Sequence, residues 1–407
     1  MPRSPKKLLA RLLMALGTAV LVPQAACALD RLPPLRIGLI APLSGSSADF
    51  GNSMRFGAEL AVNEINEYGG MLGRPVELVV RDDAGRPEAG RQGAEDLVLK
   101  ERVDFTLGFC NTGVALAALD VFQRANHVLM VPCAQGTAVT GTYPPRDSYI
   151  FRLAVADRMN AEFLASEVVQ RRGFSKPAIL ADQTPYGEGG VQDLTAEFKA
   201  RGVVPVYVGR FDLGTGSLTA ELGAARKAGA DALVVYSVGP GHATAVQARN
   251  QLGWRVPYFA PWTLSFRSVL EIAGAPALEG TMMTQTIIKD GGSERRAGFI
   301  ARYMRHSREA RIGSLMAAAQ AYDAVHLMLR AAFASKGEPR GPALKAALEN
   351  LDRSHYGVVT TYTRPYSSAD HEAFSSRMIW LGTWRDGEIQ FQYPDDAKLS
   401  AMVRRKE

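Results

Sequence analysis

The stretch "LRIGLIAPLSGSSADFGNSMRFGAELAVNEINEYGGMLGRPVELVVRDD" (residues 35–83) decides the fold. Its apolar residues form a strand pattern at 35–43, a helical pattern at 53–68 and a second strand pattern at 76–83, and a Gly-Gly pair ends the helix. A strand, a helix and a strand joined by short connectors favour a parallel pair with a right-handed crossover. The stretch therefore predicts a βαβ unit.

The same alternation continues through most of the chain. The strand patterns "VDFTLGF" and "HVLMVPC" complete a first series, and a second series begins near Phe151 with "PAILAD", "VVPVYVGRF", "ADALVVYSV" and "VPYFAPW". Two long helical patterns and a strand-like end, "SRMIWLGTWRDGEIQF", follow. We predict an α/β fold of two Rossmann-like lobes with parallel sheets, which a chain of 407 residues is long enough to form.

The first 28 residues have the pattern of an export signal. Four basic residues and no acid precede an apolar run at 12–22, and small residues flank Cys27, which favours cleavage after Ala28 and a periplasmic protein. A membrane anchor is one alternative, but the run is shorter than the ~20 residues of a spanning helix, and Pro23 ends it. Lipidation at Cys27 is another, but Gln24 stands where a lipoprotein signal carries an apolar residue.

Charge and motifs exclude several classes of function. The whole chain carries a net charge of +6, and loss of the four basic signal residues leaves +2, which gives no electrostatic reason to expect nucleic acid as a partner. The chain has no G-x-S-x-G elbow, P-loop or H-E-x-x-H motif, so we expect a binding protein without a cofactor, not an enzyme. Cys110 and Cys133 share no metal-ligand spacing with the six histidines, so we expect no metal site.

The loops after the predicted strands indicate where a solute would bind. In an open α/β sheet, solutes bind beyond the carboxyl ends of the strands, where helix N-termini present unpaired N–H groups. The loops at those places are rich in Gly, Ser, Thr, Asn and aromatic residues: "SGSSADFG", "FCNTG", "PCAQGT", "DQTPYGEG", "SVGPGH" and "APWTLS". Such loops facing each other across a cleft predict a site for a small molecule.

These motifs resemble those of the branched-chain amino acid type of periplasmic binding proteins. Pro-Leu-Ser-Gly, then Asn-Glu-Ile-Asn with Gly-Gly, then Tyr-Gly-Glu-Gly stand in the family's order, and the resemblance covers nearly the whole mature chain. It implies a monomer of two α/β lobes joined by three crossovers, which closes on a solute and delivers it to the membrane permease of an ABC importer. We expect the first lobe to comprise residues 29–152 and 282–355, and the second lobe 153–281 and 356–407.

The resemblance also implies that two strand-end loops of the first lobe hold the carboxylate of the solute. Asn111 stands where the family usually has a serine, Thr112 follows it, and the amide of Asn111 offers an N–H₂ donor. Cys133, Ala134 and Gln135 occupy the second loop, where Gln135 can also donate to a carboxylate.

The remaining site positions are mostly aromatic. Phe50 matches a residue that packs on the solute, Tyr186 matches a second-lobe tyrosine that closes over it, and Val238 lies in another second-lobe loop. Ordinary core packing is the alternative for Phe50 and Tyr186. Trp262 stands where amino-acid binders carry the acid that pairs with the ammonium group of the solute. Because a buried ammonium group without a carboxylate partner is costly, the sequence favours an aromatic or apolar carboxylate.

Several alternatives stay open in the sequence. The solute could instead be a branched-chain or other hydrophobic amino acid, or the protein could be a periplasmic sensor that acts on a signalling partner. Cys110 and Cys133 follow neighbouring predicted strands, so they either form a disulfide or remain buried thiols. His371 lies between Asp370 and Glu372, and we expect a solvated side chain there, not a pH-sensitive hinge or a metal contact.

Overall fold

The computed structural model describes residues 32–289, 293–336, 338–402 and Lys406. The predicted export signal at residues 1–28 and the alternative lipidation site at Cys27 lie outside these residues. Among the described helices, none has both the length and the apolar character that a bilayer crossing requires.

The chain alternates strands and helices, as the sequence predicts. In chain order the strands are β1 (Leu35–Ala41), β2 (Val76–Asp82), β3 (Phe105–Gly108), β4 (Leu129–Val131), β5 (Ile150–Arg152), β6 (Pro177–Asp182), β7 (Tyr207–Phe211), β8 (Ala232–Tyr236), β9 (Tyr258–Ala260), β10 (Met282–Gln285), β11 (His355–Tyr356), β12 (Thr361–Tyr362), β13 (Trp380–Arg385) and β14 (Glu388–Phe391). The helices are α1 (Ala48–Glu67), α2 (Pro87–Glu95), α3 (Thr112–Arg124), α4 (Ala138–Gly141), α5 (Asp157–Ala165), α6 (Pro185–Ala200), α7 (Thr219–Lys227), α8 (Gly239–Gln251), α9 (Arg267–Ala273), α10 (Ala275–Leu278), α11 (Glu294–Ser307), α12 (Leu315–Ala334), α13 (Gly341–Glu349) and α14 (Pro394–Ser400).

Two sheets define two lobes. The first has the strand order β2-β1-β3-β4-β5 and is parallel throughout, and the second has the order β14-β13-β10-β9-β8-β6-β7. β1, β3, β6 and β8 are buried almost along their whole length, because helices cover both faces of a parallel sheet. The predicted two-lobed α/β fold is therefore confirmed.

The chain crosses between the lobes three times, after β5, after β10 and before β13. The predicted boundaries are off at the second and third crossings. β10 pairs with β9 and β13, so residues 282–285 belong to the second lobe instead of opening the return to the first. β12 pairs with β11, and Glu372 bridges to Arg152 at the end of β5, so the chain stays with the first lobe well beyond residue 356.

The last two strands depart from the parallel pattern. β13 runs antiparallel to β10, and β14 runs antiparallel to β13. Asp386 and Gly387, which join β13 to β14, both have positive φ angles of 51° and 73°. An Asp-Gly pair with two positive φ angles is typical of a two-residue hairpin turn. A tight turn therefore joins β13 to β14, where parallel strands would need a helical crossover.

Helix α1 carries Phe50 into the cleft and packs closely on α12. A Cβ atom at Gly57 would lie 2.1 Å from the carbonyl oxygen of Ala318, so only glycine permits this approach. Ser53 Oγ in α1 accepts a hydrogen bond of 2.9 Å from the backbone N–H of Ser314, the N-cap of α12. The N-terminus of α1 is therefore held firmly beside that of α12.

The fold decides the state of the two cysteines and the position of His371. Cys110 and Cys133 are free, buried thiols. The expectation of a solvated His371 is wrong, because its ring is 2% exposed and stacks on Phe151 with a centroid distance of 3.8 Å. Its two nitrogens lie 3.0 Å from Ile150 O and 3.0 Å from Glu349 Oε1, and burial lowers the pKa of this imidazole. His371 thus ties the third crossing to β5.

Candidate functional site

The carboxyl ends of the strands from both sheets meet around a cavity of about 230 Å³ between the lobes. Nine residues line it: Phe50, Cys110, Asn111, Thr112, Gln135, Tyr186, Val238, Trp262 and Thr263. Seven of the nine positions that the sequence proposes as solute contacts are therefore brought together here. Cys133 and Ala134 are fully buried behind the loop and do not line the cavity. Cys110 and Thr263 are additions, each directly adjacent in sequence to a predicted residue.

Three helix N-termini point towards this cavity. Asn111 is the N-cap of α3, Tyr186 lies in the first turn of α6, and Val238 is the N-cap of α8. The N–H groups of a first helical turn lack intrahelical partners, which makes such a meeting point favourable for negative charge. Asp182 at the end of β6 fixes the arrangement, because its Oδ2 accepts a hydrogen bond of 2.9 Å from Val238 N.

We call Asn111, Thr112 and Gln135 the polar wall of the cavity. The amide of Gln135 is 2% exposed, and its Oε1 accepts a hydrogen bond of 2.8 Å from Asn160 Nδ2. Its Nε2 has no partner among the described residues, although the atom is fully buried. A buried amide donor without a hydrogen-bond partner lowers the stability of the fold, so Gln135 Nε2 is a candidate contact for a bound molecule.

Asn111 differs from the sequence-based expectation in one respect. Its Nδ2 donates to Ser47 Oγ at 3.1 Å, and the atom without a partner in the described chain is Oδ1. A hydroxyl can donate as well as accept, so Ser47 would support either orientation of this amide. Asn111 can therefore present an acceptor or a donor, whereas the expectation allowed only a donor.

We call Tyr186 and Trp262 the aromatic wall. Trp262 is 2% exposed and meets Phe50 edge-on at 6.0 Å and Phe266 edge-on at 5.1 Å, and Phe50 and Phe266 stack at 4.7 Å. The indole N–H of Trp262 has no acceptor within the described structure. An indole can only donate, so the aromatic wall carries a second unmet donor, and the Tyr186 hydroxyl beside it also lacks a partner among the described residues.

A buried carboxyl group lies behind Tyr186. Asp157 Oδ1 accepts hydrogen bonds from Tyr236 Oη at 2.9 Å and from Asn160 Nδ2 at 3.2 Å, and its Oδ2 has no partner in the described residues. Burial raises the pKa of Asp157 to about 7. Burial also raises the pKa of Tyr186 well above its usual range, and the charge of Asp157 adds to this rise. Tyr186 is therefore a neutral phenol at any ordinary pH.

Thr263 is held by a second buried network. Its hydroxyl donates to Ser237 O at 2.7 Å and lies 2.9 Å from His242 Nε2, and the other nitrogen of that ring lies 3.0 Å from Tyr258 Oη. Because the Thr263 hydroxyl donates its proton to Ser237 O, its oxygen must accept from His242, which therefore carries its proton on Nε2. Burial lowers the pKa of His242 to about 3, so the ring stays neutral and serves to fix Thr263.

The lobes are closed over the cavity. Asp49 at the start of α1 accepts a hydrogen bond of 2.7 Å from Ser268 N and forms an ion pair with Arg267 at 3.2 Å. The hydroxyl of Thr137 donates a hydrogen bond of 2.6 Å to Asp193 Oδ2. These contacts join the N-termini of α1 and α4 in the first lobe to α9 and α6 in the second lobe. A molecule in the cavity would be enclosed by both lobes.

A larger crevice of about 990 Å³ lies elsewhere between the lobes. Its lining is mainly aliphatic, and its arginines are engaged, Arg267 with Asp49 and Arg311 with Glu388. One unpartnered amide nitrogen, that of Gln285, faces this part of the described structure. The smaller cavity carries unpartnered polar atoms from both lobes and is the stronger candidate site.

Comparison with known proteins identifies the family of the chain and supports its two-lobed fold. The family model described as periplasmic binding protein matches residues 34–388. The chain belongs to the periplasmic binding protein family. This membership confirms the expectation of a solute-binding protein that is not an enzyme.

Curated relatives carry the names of amino-acid binders. The chain is similar to Leu/Ile/Val-binding protein homolog 3 of Brucella melitensis, 33% identical over 50% of this chain and 53% of the relative. It is also similar to the Leu/Ile/Val-binding protein BraC3 of Rhizobium johnstonii, 33% identical over 46% of this chain and 50% of that relative. The matches span about half the length of these curated relatives.

Solved structures share the fold over almost the whole described chain. A periplasmic binding protein type 1 from Bordetella pertussis superposes with a TM-score of 0.79 at 23% identity, covering 88% of this chain and 99% of that one. A solute-binding protein of an ABC transporter from R. palustris, in complex with 4-hydroxybenzoate, gives 0.75 at 21% identity, covering 88% and 95%. The substrate-binding protein LivJ from Streptococcus pneumoniae, in complex with isoleucine, gives 0.76 at 23% identity, covering 88% and 98%.

Proposed function

We propose that this chain is the periplasmic solute-binding component of an ABC importer, and that its solute is a small carboxylate whose remainder is aromatic or apolar. The proposal covers the periplasmic location, a monomeric state and delivery to a membrane permease. One observation carries the choice of solute: two buried donors, Gln135 Nε2 and Trp262 Nε1, come from opposite lobes and lack acceptors among the described residues.

The chemistry of these donors favours a carboxylate. A carboxylate has two oxygens that only accept, so one group can satisfy a donor from each lobe and gains from the helix N-termini around it. Hydrogen bonds to an ionised group are shorter and roughly twice as strong as neutral ones. Binding of the anion would also require both lobes at once, which links capture to closure.

The shape and lining of the cavity favour an aromatic or apolar remainder. The two lobes leave little free space between the lining side chains, so the solute must be small and must enter while the lobes are apart. The rings of Phe50 and Trp262 line the cavity and offer an apolar surface for a ring, and Phe266 packs against both of them. Two related solved structures from R. palustris are complexes with 4-hydroxybenzoate and with benzoate, which is consistent with such a solute.

A hydrophobic amino acid is the second candidate, and one observation favours it. The free Oδ2 of Asp157 lies behind Tyr186 and could accept from an ammonium group if Tyr186 moved aside. The names of the curated relatives point in the same direction. Against it, none of the nine described residues that line the cavity carries a charge.

A thermal-shift screen of residues 29–407, unfolded and refolded to remove any co-purified solute, separates the candidates. Benzoate, 4-hydroxybenzoate, isoleucine and leucine would be added at increasing concentration. A solute present at a hundred times its Kd should add about 2.7 kcal/mol to the free energy of unfolding. Stabilisation by the aromatic acids alone supports the proposal, whereas stabilisation by isoleucine alone replaces it with the amino-acid function.

A further inference from the structure

The amide of Gln135 has one end held and one end free. Asn160 Nδ2 lies 2.8 Å from Gln135 Oε1, while Gln135 Nε2 faces the cavity without a partner in the described chain. If the amide turned over, its N–H₂ group would point at another N–H₂ group and its oxygen would enter the cavity. The contact with Asn160 therefore decides which end of Gln135 the solute meets.

Asn160 is itself fixed by a carboxyl group. The same Nδ2 atom lies 3.2 Å from Asp157 Oδ1, which also accepts from Tyr236 Oη at 2.9 Å. A carboxyl oxygen that already receives one hydrogen bond still attracts a second donor and repels the oxygen of an amide. Asn160 and Asp157 are 2% and 1% exposed, so water does not compete for these contacts.

Asn111, on the same wall, provides an internal contrast. Its partner is the hydroxyl of Ser47 at 3.1 Å, and a hydroxyl accepts or donates equally well. The amide of Asn111 can therefore turn to suit the solute, whereas that of Gln135 cannot. The polar wall combines one adjustable amide with one that is locked as a donor.

We propose that Asn160, oriented by Asp157, is a specificity-determining residue that locks Gln135 as a donor and so restricts the site to solutes that present an acceptor. The inference rests on the proposed function, because it assumes that the solute occupies the cavity that Gln135 lines. Asn160 acts as a positioning residue, since it contacts Gln135 and not the cavity. The predicted consequence is discrimination against ring-bearing cations of the same shape as the solute.

Exchanging the two residues tests this inference. The double variant Asp157→Asn with Asn160→Asp keeps one carboxyl and one amide in the network but presents a carboxyl oxygen to Gln135. That oxygen should draw Gln135 Nε2 towards it and turn Oε1 into the cavity. Benzoate, which only accepts, and benzamidine, a planar cation of nearly the same shape that only donates, are suitable probes.

The expected result is an inversion of selectivity. Wild type should bind benzoate and not benzamidine, and the exchanged variant should lose about ten- to a hundredfold in benzoate affinity, the range expected when an anion loses a buried donor. Benzamidine should bind the variant more tightly than it binds wild type. Asn350→Asp is the same change at an exposed helix end, where the side chain donates to Ala346 O; it is the matched control and should change neither affinity.

The outcomes separate this inference from the proposed function. If wild type binds benzoate but the exchanged variant keeps both its affinity and its selectivity, the lock is wrong and the function stands. If wild type binds isoleucine instead, isoleucine replaces benzoate as the probe, because its carboxylate would contact the same amide. Loss of isoleucine affinity in the exchanged variant then supports the lock, and unchanged affinity overturns it. If wild type binds none of the carboxylates, the function and the inference fall together.

A second route covers the case in which the exchanged variant does not fold. Asn160→Leu removes the contact at similar volume, and Gln135→Met removes the amide at similar length. Asn160→Leu should weaken benzoate binding about tenfold in the wild-type chain and should have no further effect in the Gln135→Met background. An equal loss in both backgrounds would show that Asn160 acts through general packing and would overturn the lock.

Discussion

The polar wall presents amide and hydroxyl groups from Asn111, Thr112 and Gln135, whereas the aromatic wall presents the rings of Tyr186 and Trp262. Each wall belongs to a different lobe, and each carries an unpartnered donor within the described residues. The polar wall suits a charged head group, and the aromatic wall suits the ring or chain attached to it. The comparison teaches that neither lobe alone is complementary to an amphipathic solute, so tight binding requires closure.

Introducing charge on the aromatic wall should break this division most strongly. Trp262→Glu places a carboxylate opposite the bound anion in a site sheltered from water, where repulsion and desolvation add. Benzoate affinity measured by calorimetry should fall more than about a hundredfold, equivalent to ~3 kcal/mol. Trp262→Phe, which keeps a ring but loses the N–H, should lose only about 1 kcal/mol. Benzoate affinity retained in Trp262→Glu would remove Trp262 from the site.

The carboxyl group behind the walls should show itself in the pH dependence of stability. Since the pKa of Asp157 is raised to about 7, the folded protein keeps a proton that the unfolded chain releases above about pH 4. This contribution to stability is complete below pH 4 and is lost as the pH rises through 7. The free energy of unfolding of Asp157→Asn, relative to wild type, should therefore rise between about pH 4 and pH 8 by a few kcal/mol. A constant difference in denaturant melts across that range would contradict the buried, protonated state.

The two amides of the polar wall should differ in their effect on binding. Gln135→Leu removes a donor fixed towards the solute, so benzoate affinity should fall by about 1–3 kcal/mol. Asn111→Ala should cost less, because part of the Asn111 amide is already satisfied by Ser47. Calorimetric titration of both variants tests the order. A larger loss in Asn111→Ala would mean that this amide turns and becomes the main donor.

Contacts that join the lobes should contribute least. Asp49→Asn keeps the acceptor for Ser268 N but removes the ion pair with Arg267, so affinity should fall by about 0.2–1 kcal/mol through weaker closure. The more exposed pair of Arg311 with Glu388 is the matched comparison, and Glu388→Gln should lose even less. Solution scattering with and without benzoate measures closure directly. Unchanged scattering and affinity in Asp49→Asn would exclude this pair from the closing contacts.

The fold was largely predictable from the sequence because its main signals are local. The strand pattern at 35–43 and the helical pattern at 53–68 correspond to β1 and α1, although α1 begins earlier, at Ala48. The sequence also predicts the loops that line the cavity, because the carboxyl ends of parallel strands lie at the same edge of a sheet. The predicted lobe boundary at residue 282 is wrong because β10 pairs with β9 and β13. The pattern of apolar residues predicts a strand there but does not say which strands it pairs with.

The part of the site that the sequence missed lies in contacts between distant residues. Asn160 donates a hydrogen bond to Gln135 across 25 positions, and Asp157 accepts one from Tyr236 across 79. Asn160 and Asp157 both lie in α5, outside the strand-end loops in which the sequence predicts the site. The sequence gives the wrong expectation for His371 for the same reason: its acidic neighbours in sequence suggest a surface position, whereas its stacking on Phe151 depends on the third crossing.

The most direct test of the account is calorimetric titration of refolded residues 29–407 with benzoate and with isoleucine under the same conditions. The account predicts that benzoate binds to one site per chain, that the affinity falls in Gln135→Leu, and that isoleucine gives no heat of binding. If the wild-type chain binds isoleucine and does not bind benzoate, the account is contradicted. The two unmet donors would then not receive the carboxylate of a solute that lacks an ammonium group.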